Sequence, residues 1–219
     1  MSRARILVSC LGVVATLASM LSGCAEKDPG RNCPGKGWRN LSHREVDGSE
    51  LIERRLHCAN LEWSSLDELR LQEVKLSRAN LHGASLRSSW LSNVDLSGAD
   101  LSDAVLEGAT LDEVDMAGAD LRGASLAGEA TLTDVGLRRA RLVDADLSSA
   151  VVKRSDLARA DLTGANLSGA SLINSSLRGA RLDGADLTDT FWSNSVCPDG
   201  TKSRGAPETC DDHLTPARP

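Results

Sequence analysis

The sequence predicts an all-β solenoid, a rod of about seven coils with four faces per coil. The main observation is a periodic core: from Leu56 to Leu126 an apolar residue recurs at every fifth position, and after a slip of one residue the series continues from Leu132 to Trp192. Of its 28 positions, 25 are Leu, and the residue two places earlier is Ala at 17 of them. The chain of 219 residues is 41% hydrophobic but only 2% aromatic. A core that uses one aliphatic residue type many times favours a repeat architecture over a compact α/β enzyme.

The period of five residues fits neither common secondary structure. On an α-helix, five residues advance by about 500°, so the Leu side chains would spiral around the whole surface. On a straight strand, an odd period would point alternate Leu side chains to opposite faces. All the Leu side chains can point inward only if the chain turns at every repeat, which defines a solenoid.

A longer period gives the number of faces. Val stands two places before the core position only at residues 74, 94, 114 and 135, in steps of 20, 20 and 21. Four repeats therefore make one coil, and seven coils at about 4.8 Å give a rod roughly 34 Å long. We number the faces by their first core residues: the first face starts at Leu56, the second at Leu61, the third at Leu66 and the fourth at Leu71.

The repeat resembles that of a known family. Blocks such as Ala99-Asp100-Leu101-Ser102 and Ala165-Asn166-Leu167-Ser168 are similar to A(D/N)LXX, the consensus of the pentapeptide repeat family. The resemblance covers Leu56 to Trp192, with weaker repeats starting at Leu41 or Val46. It implies a right-handed quadrilateral parallel β-helix over residues 41–192, with Leu and Ala inside. The slip at Ala127-Gly128-Glu129 predicts a one-residue bulge near 127–131.

The N-terminus predicts export and lipidation. Residues 1–23 read as a lipoprotein signal peptide, with Arg3 and Arg5 before an apolar run of 16 residues. That run ends in Leu21-Ser22-Gly23-Cys24, which resembles a bacterial lipobox and predicts an acyl (palmitate) anchor on Cys24; a plain anchor helix is the alternative. The predicted location is the bacterial cell envelope. Ala25 after the lipidated Cys favours the outer membrane if the cell has one, and otherwise the extracytoplasmic face of the cell membrane.

Four further cysteines predict disulfide-bonded caps. An even number of Cys in an exported chain favours disulfides; proximity favours Cys33–Cys58 and Cys197–Cys210, although three pairings are possible. We expect residues 24–40 to form the lipidated Cys, a tether and an N-terminal cap, and residues 193–219 a C-terminal disulfide cap and tail. Three aromatic residues are expected to plug the caps, namely Trp38, Phe191 and Trp192, and Trp63 is expected to lie under the N-terminal cap.

The outward positions predict a rod with oppositely charged faces. The formal charge of −6 becomes −8 when residues 1–23, which hold two Arg and no acid, are removed. The first face has seven basic residues against three acidic ones, whereas the second and third faces are acidic. These charges either only solvate the rod, or the basic face meets phospholipid head groups or an anionic envelope polymer. The basic residues are Arg55, Lys75, Arg78, Arg138, Arg139, Arg159 and Arg178.

The fourth face is unusual because no Asp or Asn precedes its core positions. Thr, Val and aromatic residues stand there instead, and they suit a flat, extended surface. Two interpretations are open: either a protein partner or a second copy docks here, or this face has a turn geometry that does not need Asp. The candidate interaction surface comprises Trp90, Thr110, Thr131, Val151, Ile173 and Phe191.

Signals for chemistry are weak, so the sequence predicts no enzyme, no cofactor and no bound metal. His82 is expected to face outward near Asp100, but no nucleophile accompanies it and a convex rod offers no pocket. The acidic balance is a poor match to a nucleic-acid binder. The leading hypothesis is a lipid-anchored scaffold or protein-interaction module with an unknown partner. The resemblance implies an alternative, because some cytosolic members of the family bind DNA gyrase as acidic mimics of DNA; the export signal disfavours it.

Overall fold

A parallel β-solenoid is the fold of this chain, as the sequence predicts. The computed structural model describes residues 39–51, 56–203 and 209–214. Seven three-residue strands stack in chain order into one parallel sheet along the fourth face, and six complete turns separate the first strand from the last. The strands are β1 Arg70–Gln72, β2 Trp90–Ser92, β3 Thr110–Asp112, β4 Thr131–Thr133, β5 Val151–Lys153, β6 Ser171–Ile173 and β7 Phe191–Ser193. Two short 3-10 helices, Gly48–Glu50 and Asp211–His213, lie near the two ends of the described chain.

Isolated parallel bridges hold the other three faces together. On the second face the bridges join residues 40, 60, 80, 100, 120, 141, 161 and 181, in steps of 20 except for one step of 21. The same extra residue separates Thr110 from its register partner Thr131. It lies at the corner where Gly128 and Glu129 both have positive φ, 66° and 68°. The insertion therefore changes one corner and leaves the stacking intact.

The core is a ladder of aliphatic side chains one residue deep. Leu91, Leu96, Leu101 and Leu106 each have 0% of their surface exposed. The Ala and Val residues two places before the core positions are buried beside them, except for Ala185 in the last coil, which is partly buried. Leu41, Val46 and Leu51 are buried in the same way, so the solenoid begins before the strong repeats. Stacking identical residues at every coil lets each layer pack like the one below it.

From Leu56 to Trp192, every corner turns through a left-handed residue two places after the core position. Asn93, with φ 54°, and Gly98, with φ 64°, are examples from consecutive repeats. This conformation explains why Gly, Asn and Asp recur at that position, since they adopt it at least cost. The outward-facing character predicted for this position does not include this constraint.

The C-terminal end closes with a disulfide and a reversed strand. Cys197 and Cys210 are bonded, with Cα atoms 5.6 Å apart, and both are fully buried. After the last coil the chain turns back, and Val196 pairs with Lys202 in antiparallel fashion. This pairing occupies part of the backbone edge that a solenoid would otherwise leave open.

A column of buried serines links this cap to the coils. Along the corner that carries Val up to residue 135, the next three coils have Ser155, Ser175 and Ser195. The backbone N–H of Ser155 donates to Ser175 Oγ at 3.2 Å, and that of Ser175 donates to Ser195 Oγ at 3.1 Å. The N–H of Ser195 donates in turn to Ser203 Oγ of the cap at 3.1 Å. The column thus extends the internal hydrogen bonding of the rod into its end.

Phe191, one of the expected aromatic plugs, and Trp63, expected beneath the N-terminal cap, are both exposed. Trp192 does plug the core at the C-terminal end and is 1% exposed, but Phe191 is 52% exposed because it is the outward residue of strand β7. Trp63 is 50% exposed and packs edge-on against His82 of the next coil, with ring centroids 5.1 Å apart. Trp38 lies outside the described residues.

Several predictions concern parts of the chain that the structure does not describe. The signal peptide, Cys24 and Cys33 lie outside the described residues. Cys58 is disulfide-bonded, but its predicted pairing with Cys33 stays a prediction. Within the described ranges, none of the helices is long and apolar enough to cross a membrane.

Candidate functional site

The solenoid brings most of the candidate interaction surface into one straight column. Trp90, Thr110, Thr131, Val151, Ser171 and Phe191 are successive register partners across strands β2 to β7. They alternate with buried core residues, so their side chains point outward. Ile173 stands in the neighbouring outward column, two residues after Ser171. Trp90 is 37% exposed and Phe191 52%, whereas the residues between them are half-buried.

The lack of Asp in this column has a structural cause. On the other faces, Asp or Asn before the core position accepts a hydrogen bond from the backbone N–H two residues later. Asp115 Oδ1 accepts from the N–H of Ala117 at 2.9 Å, and Asp146 Oδ1 from Ser148 at 2.9 Å. On the fourth face the corresponding residues lie inside paired β-strands, whose backbone groups bond between strands. The different geometry removes the need for Asp, but it does not dictate the choice of Trp, Val or Phe.

The basic face divides into paired and unpaired arginines. Arg138 Nη1 lies 2.9 Å from Asp156 Oδ2 and is therefore engaged. In the described part of the chain, Arg139, Arg159 and Arg178 are exposed and form no ion pair within 4 Å. The pKa of Asp95 lies below its ordinary value. Burial is the largest single effect and raises this pKa, but hydrogen bonds from Ser97 and the charge of Lys75 are among the effects that outweigh it. Arg55 lies outside the described residues, and Arg78 lies near the start of the same face.

The unpaired arginines meet at the corner between the first and second faces. The backbone N–H of Arg159 donates to the carbonyl oxygen of Arg178 at 2.9 Å, so the two residues are neighbours across adjacent coils. Arg139 is one coil earlier in the same column as Arg159. The sequence predicted a basic face, but it did not separate these three from the arginines that have carboxylate partners.

The acidic faces are largely occupied by local hydrogen bonds and ion pairs. Asp120 Oδ2 is 2.7 Å from Arg122 Nη2 and 3.3 Å from Arg141 Nη1. Asp161 accepts from the Thr163 hydroxyl at 2.6 Å, and this bond is the main reason that its pKa lies below the ordinary value; burial opposes the shift. Carboxylates engaged in this way serve the turns of the solenoid.

An open groove of about 760 Å³ on the second face corrects the expectation that the rod has no pocket. Its lining includes His82, Ser102, Asp103 and Arg122. His82 Nδ1 lies 3.0 Å from the Ser102 carbonyl oxygen, 2.9 Å from Ser102 Oγ and 3.8 Å from Asp103 Oδ2. The predicted neighbour Asp100 instead accepts from the Ser102 hydroxyl at 2.6 Å.

The geometry of this groove differs from that of a catalytic triad. A triad places Ser and Asp on opposite nitrogens of the imidazole, whereas here both groups face Nδ1. The carbonyl contact makes Nδ1 a hydrogen-bond donor, and the Ser102 proton is directed to Asp100. His82 therefore cannot take the proton of Ser102 in this arrangement. Among the described residues, no group of three or more His, Cys, Asp or Glu side chains could hold a metal ion.

These features define a class of protein: a four-faced parallel β-solenoid whose candidate binding groups, the apolar column and the unpaired arginines, lie on its outer faces. The family model described as pentapeptide repeats matches residues 55–89, 91–128, 128–164 and 155–191, with eight copies. The chain belongs to the pentapeptide repeat family. The match indicates no catalytic family.

Similar solved structures include other pentapeptide repeat proteins. HetL, a pentapeptide repeat protein involved in heterocyst differentiation regulation in the cyanobacterium Nostoc sp. strain PCC 7120, is 26% identical over 74% of this chain and 89% of its own, with a TM-score of 0.30. Rfr23 from the cyanobacterium Cyanothece 51142 is 22% identical over 60% of this chain and 85% of its own, with a TM-score of 0.37. QnrB1, a plasmid-mediated fluoroquinolone resistance protein, is 21% identical over 60% of this chain and 73% of its own, with a TM-score of 0.38. No curated protein matches the chain in sequence.

Proposed function

We propose that this protein is a non-catalytic, lipid-anchored interaction module of a bacterial cell envelope, and that its fourth face docks a protein partner. The observation that carries the proposal is the outward column from strand β2 to strand β7, where Trp90, Val151 and Phe191 stand among uncharged Thr and Ser residues. When a partner covers apolar and aromatic side chains on a flat surface, the free-energy cost of removing them from water is small.

The rigidity of the rod supports this role. The strands of the fourth face are paired in register along their whole length, so the outward side chains hold fixed spacings before a partner arrives. A preorganised surface loses less conformational entropy on binding than a loop would. The core behind the column is an unbroken row of buried apolar residues, mostly Leu, with Val152 and Trp192 in the later coils, and it keeps the face straight.

The anchor is supported by the residues 21–24 and by the physics of acylation. A Cys that carries two or more acyl chains holds a protein stably at a membrane, whereas one chain gives only marginal binding. Replacement of Cys24 by Ala should abolish labelling by radioactive palmitate, while the matched change Cys10→Ala, within the signal peptide, should leave labelling intact. Labelling that persists in Cys24→Ala would contradict the anchor.

Docking can be tested with two variants that carry the same chemical changes on different faces. Trp90→Asp with Val151→Asp places two charges on the fourth face. Trp63→Asp with Val143→Asp does so on the second face, where both side chains also reach the surface. After cross-linking in intact cells, a protein captured by the wild type and the second-face variant, but lost from the fourth-face variant, supports the proposal. Capture of the same protein by all three contradicts docking on the fourth face, and capture of a second copy of the chain indicates self-association.

The alternative of an acidic DNA mimic has less support. Its binding surface would be the carboxylates of the second and third faces, and many of these already accept hydrogen bonds from turn N–H groups. Arg122, Arg141 and Arg181 further neutralise the second face through ion pairs with Asp120, Asp161 and Asp183. The export signal would also separate the protein from a cytosolic target.

A further inference from the structure

We propose that the corner formed by Arg139, Arg159 and Arg178 binds the phosphate groups of anionic phospholipids, so that the rod lies along the membrane with this corner facing it. The inference rests on the proposed lipid anchor and adds an orientation to it. Three exposed guanidinium groups without carboxylate partners lie in three successive coils. At about 4.8 Å per coil, they occupy a strip roughly 10 Å long.

The side chains are close enough to act on one anionic surface. Arg159 and Arg178 are joined by a backbone hydrogen bond of 2.9 Å. The side chain of Arg159 leans over Gly179, since a Cβ placed on Gly179 would lie 3.4 Å from Arg159 Cγ. Arg178 leans over Gly200 in the same direction, with its Nε 3.5 Å from such a Cβ. The small residues leave the guanidinium groups of this strip uncovered.

Nearby acids do not neutralise the strip. Asp156 is engaged by Arg138, and Asp161 by Arg181 and Thr163. Asp199, in the turn after the last coil, accepts hydrogen bonds from Thr201 and is 2.6 Å from His213 Nδ1. Among the described residues, these three carboxylates therefore contact partners other than Arg139, Arg159 and Arg178.

Local stability alone does not account for arginine at this corner. Arg139 and Arg159 have φ of 58° and 61°, and in the same column the coils at Gly98, Gly118 and Gly179 use glycine, which adopts this conformation more readily. Like charges stacked across neighbouring coils also repel one another. Residues that break a local preference in this way are typical of functional positions.

Phosphate is the ligand that suits this arrangement. The planar guanidinium group donates two parallel hydrogen bonds to a phosphate, and it is less strongly hydrated than an ammonium group. A row of three such groups matches a surface with many phosphates. Because the chain passes through the four faces in order, the corner between the first and second faces lies diagonally opposite the corner between the third and fourth. A rod that rests on this corner leaves the fourth face free for a partner.

The test is protection of individual arginines from phenylglyoxal, mapped by mass spectrometry. The full chain is reconstituted in phosphatidylcholine vesicles with and without phosphatidylglycerol, and a third sample contains phosphatidylcholine vesicles and inorganic phosphate. With phosphatidylglycerol, Arg139, Arg159 and Arg178 should react about fivefold more slowly, as expected for about 1 kcal/mol per basic residue at an anionic surface. Arg70, an exposed arginine at the start of the fourth face, is the internal control and should react at the same rate in every sample.

Each other outcome overturns the inference in a distinguishable way. Equal protection by inorganic phosphate without phosphatidylglycerol would make the corner a site for a free anion. In the double variant Arg159→Gln with Arg178→Gln, Arg139 is the one arginine of the three that remains. If phosphatidylglycerol still protects Arg139 in this variant, the three arginines do not act together. Flotation of the vesicles in a density gradient shows whether the chain is bound to them. If the chain floats with both kinds of vesicle but no arginine is protected, only the orientation is overturned. If the chain floats with neither kind, the anchor is overturned as well.

Discussion

Leu91 and Leu111 occupy the same register position on neighbouring parallel strands, 20 residues apart, and both are fully buried. The relationship repeats along every face, so one side chain contacts its equivalent in the coils before and after it. Stability in such a rod is a sum over neighbouring coils. A fault at one position should therefore be felt most strongly in the adjacent coils.

A charge placed in the central ladder should unfold the middle of the rod. Leu101 is fully buried, so Leu101→Asp puts a carboxylate where it has no partner, and we expect a loss of at least about 4 kcal/mol in the free energy of unfolding. Ser88→Asp, which adds the same charge at an exposed corner, should leave the melting temperature almost unchanged. Equal melting temperatures for Leu101→Asp and the wild type, measured by circular dichroism, would refute the inward ladder.

Two glycine corners allow backbone strain to be separated from steric overlap. Gly83 and Gly118 have φ of 62° and 66°, but a Cβ on Gly83 would clash with the Trp63 ring, whereas one on Gly118 would meet no atom within 4 Å. Gly118→Ala should cost about 1 kcal/mol for its positive φ alone. Gly83→Ala should cost more, and Trp63→Ala should remove the excess in the double variant. Urea unfolding measures all four; equal losses for the two glycine variants would contradict the packing of Trp63.

The C-terminal disulfide should stabilise the end of the rod. Cys197 and Cys210 are 13 residues apart, and loss of a loop of that length should cost about 2–3 kcal/mol. Replacing both by Ala, which avoids a buried hydroxyl, should lower the urea midpoint and speed amide exchange in strand β7 more than in strand β3. Uniform acceleration along the rod would show that the cap acts on the whole solenoid instead of its end.

Acid should weaken the fold because several Asp carboxyls have a lowered pKa. Hydrogen bonds from Thr163 and Thr188 hold the pKa values of Asp161 and Asp186 below the ordinary 3.8. The unfolded chain then binds these protons more tightly, so this stability is present above about pH 4 and is lost as the pH falls further. The melting temperature should be level from about pH 7 to 5 and drop below about pH 4. Asp161→Asn with Asp186→Asn should show a shallower drop, and a level profile down to pH 2 would contradict the assignment.

The sequence predicted the periodic parts of the molecule and missed the parts that depend on side-chain direction. Period and superperiod were enough for the four faces, the Leu core and the column from Trp90 to Phe191, because stacking repeats a single geometry. The period also places Phe191 and Trp63 at outward positions, one before and two after a core residue. The expectation that they are covered at the ends gave more weight to their size than to that position. Period and superperiod could not show which arginines have partners: Arg138 and Arg139 are adjacent in sequence, yet only Arg138 faces Asp156.

The groove beside His82 was missed for a related reason. It forms where Ser102, Asp103 and Arg122 of successive coils flank the histidine, and their side-chain directions are not contained in the repeat pattern. The left-handed corners could have been found, because Gly recurs two places after the core position at residues 83, 98, 108 and 118. That regularity was the available signal for the turn geometry.

Site-specific photo-cross-linking in intact cells tests the central claim most directly. A photoreactive amino acid at Thr131, in the middle of the fourth face, is compared with one at Thr163, outward on the second face. Docking on the fourth face predicts a cross-linked product of defined mass from Thr131 and none from Thr163. The same product from both positions, or no product from Thr131, would contradict the assignment of the fourth face as the docking surface.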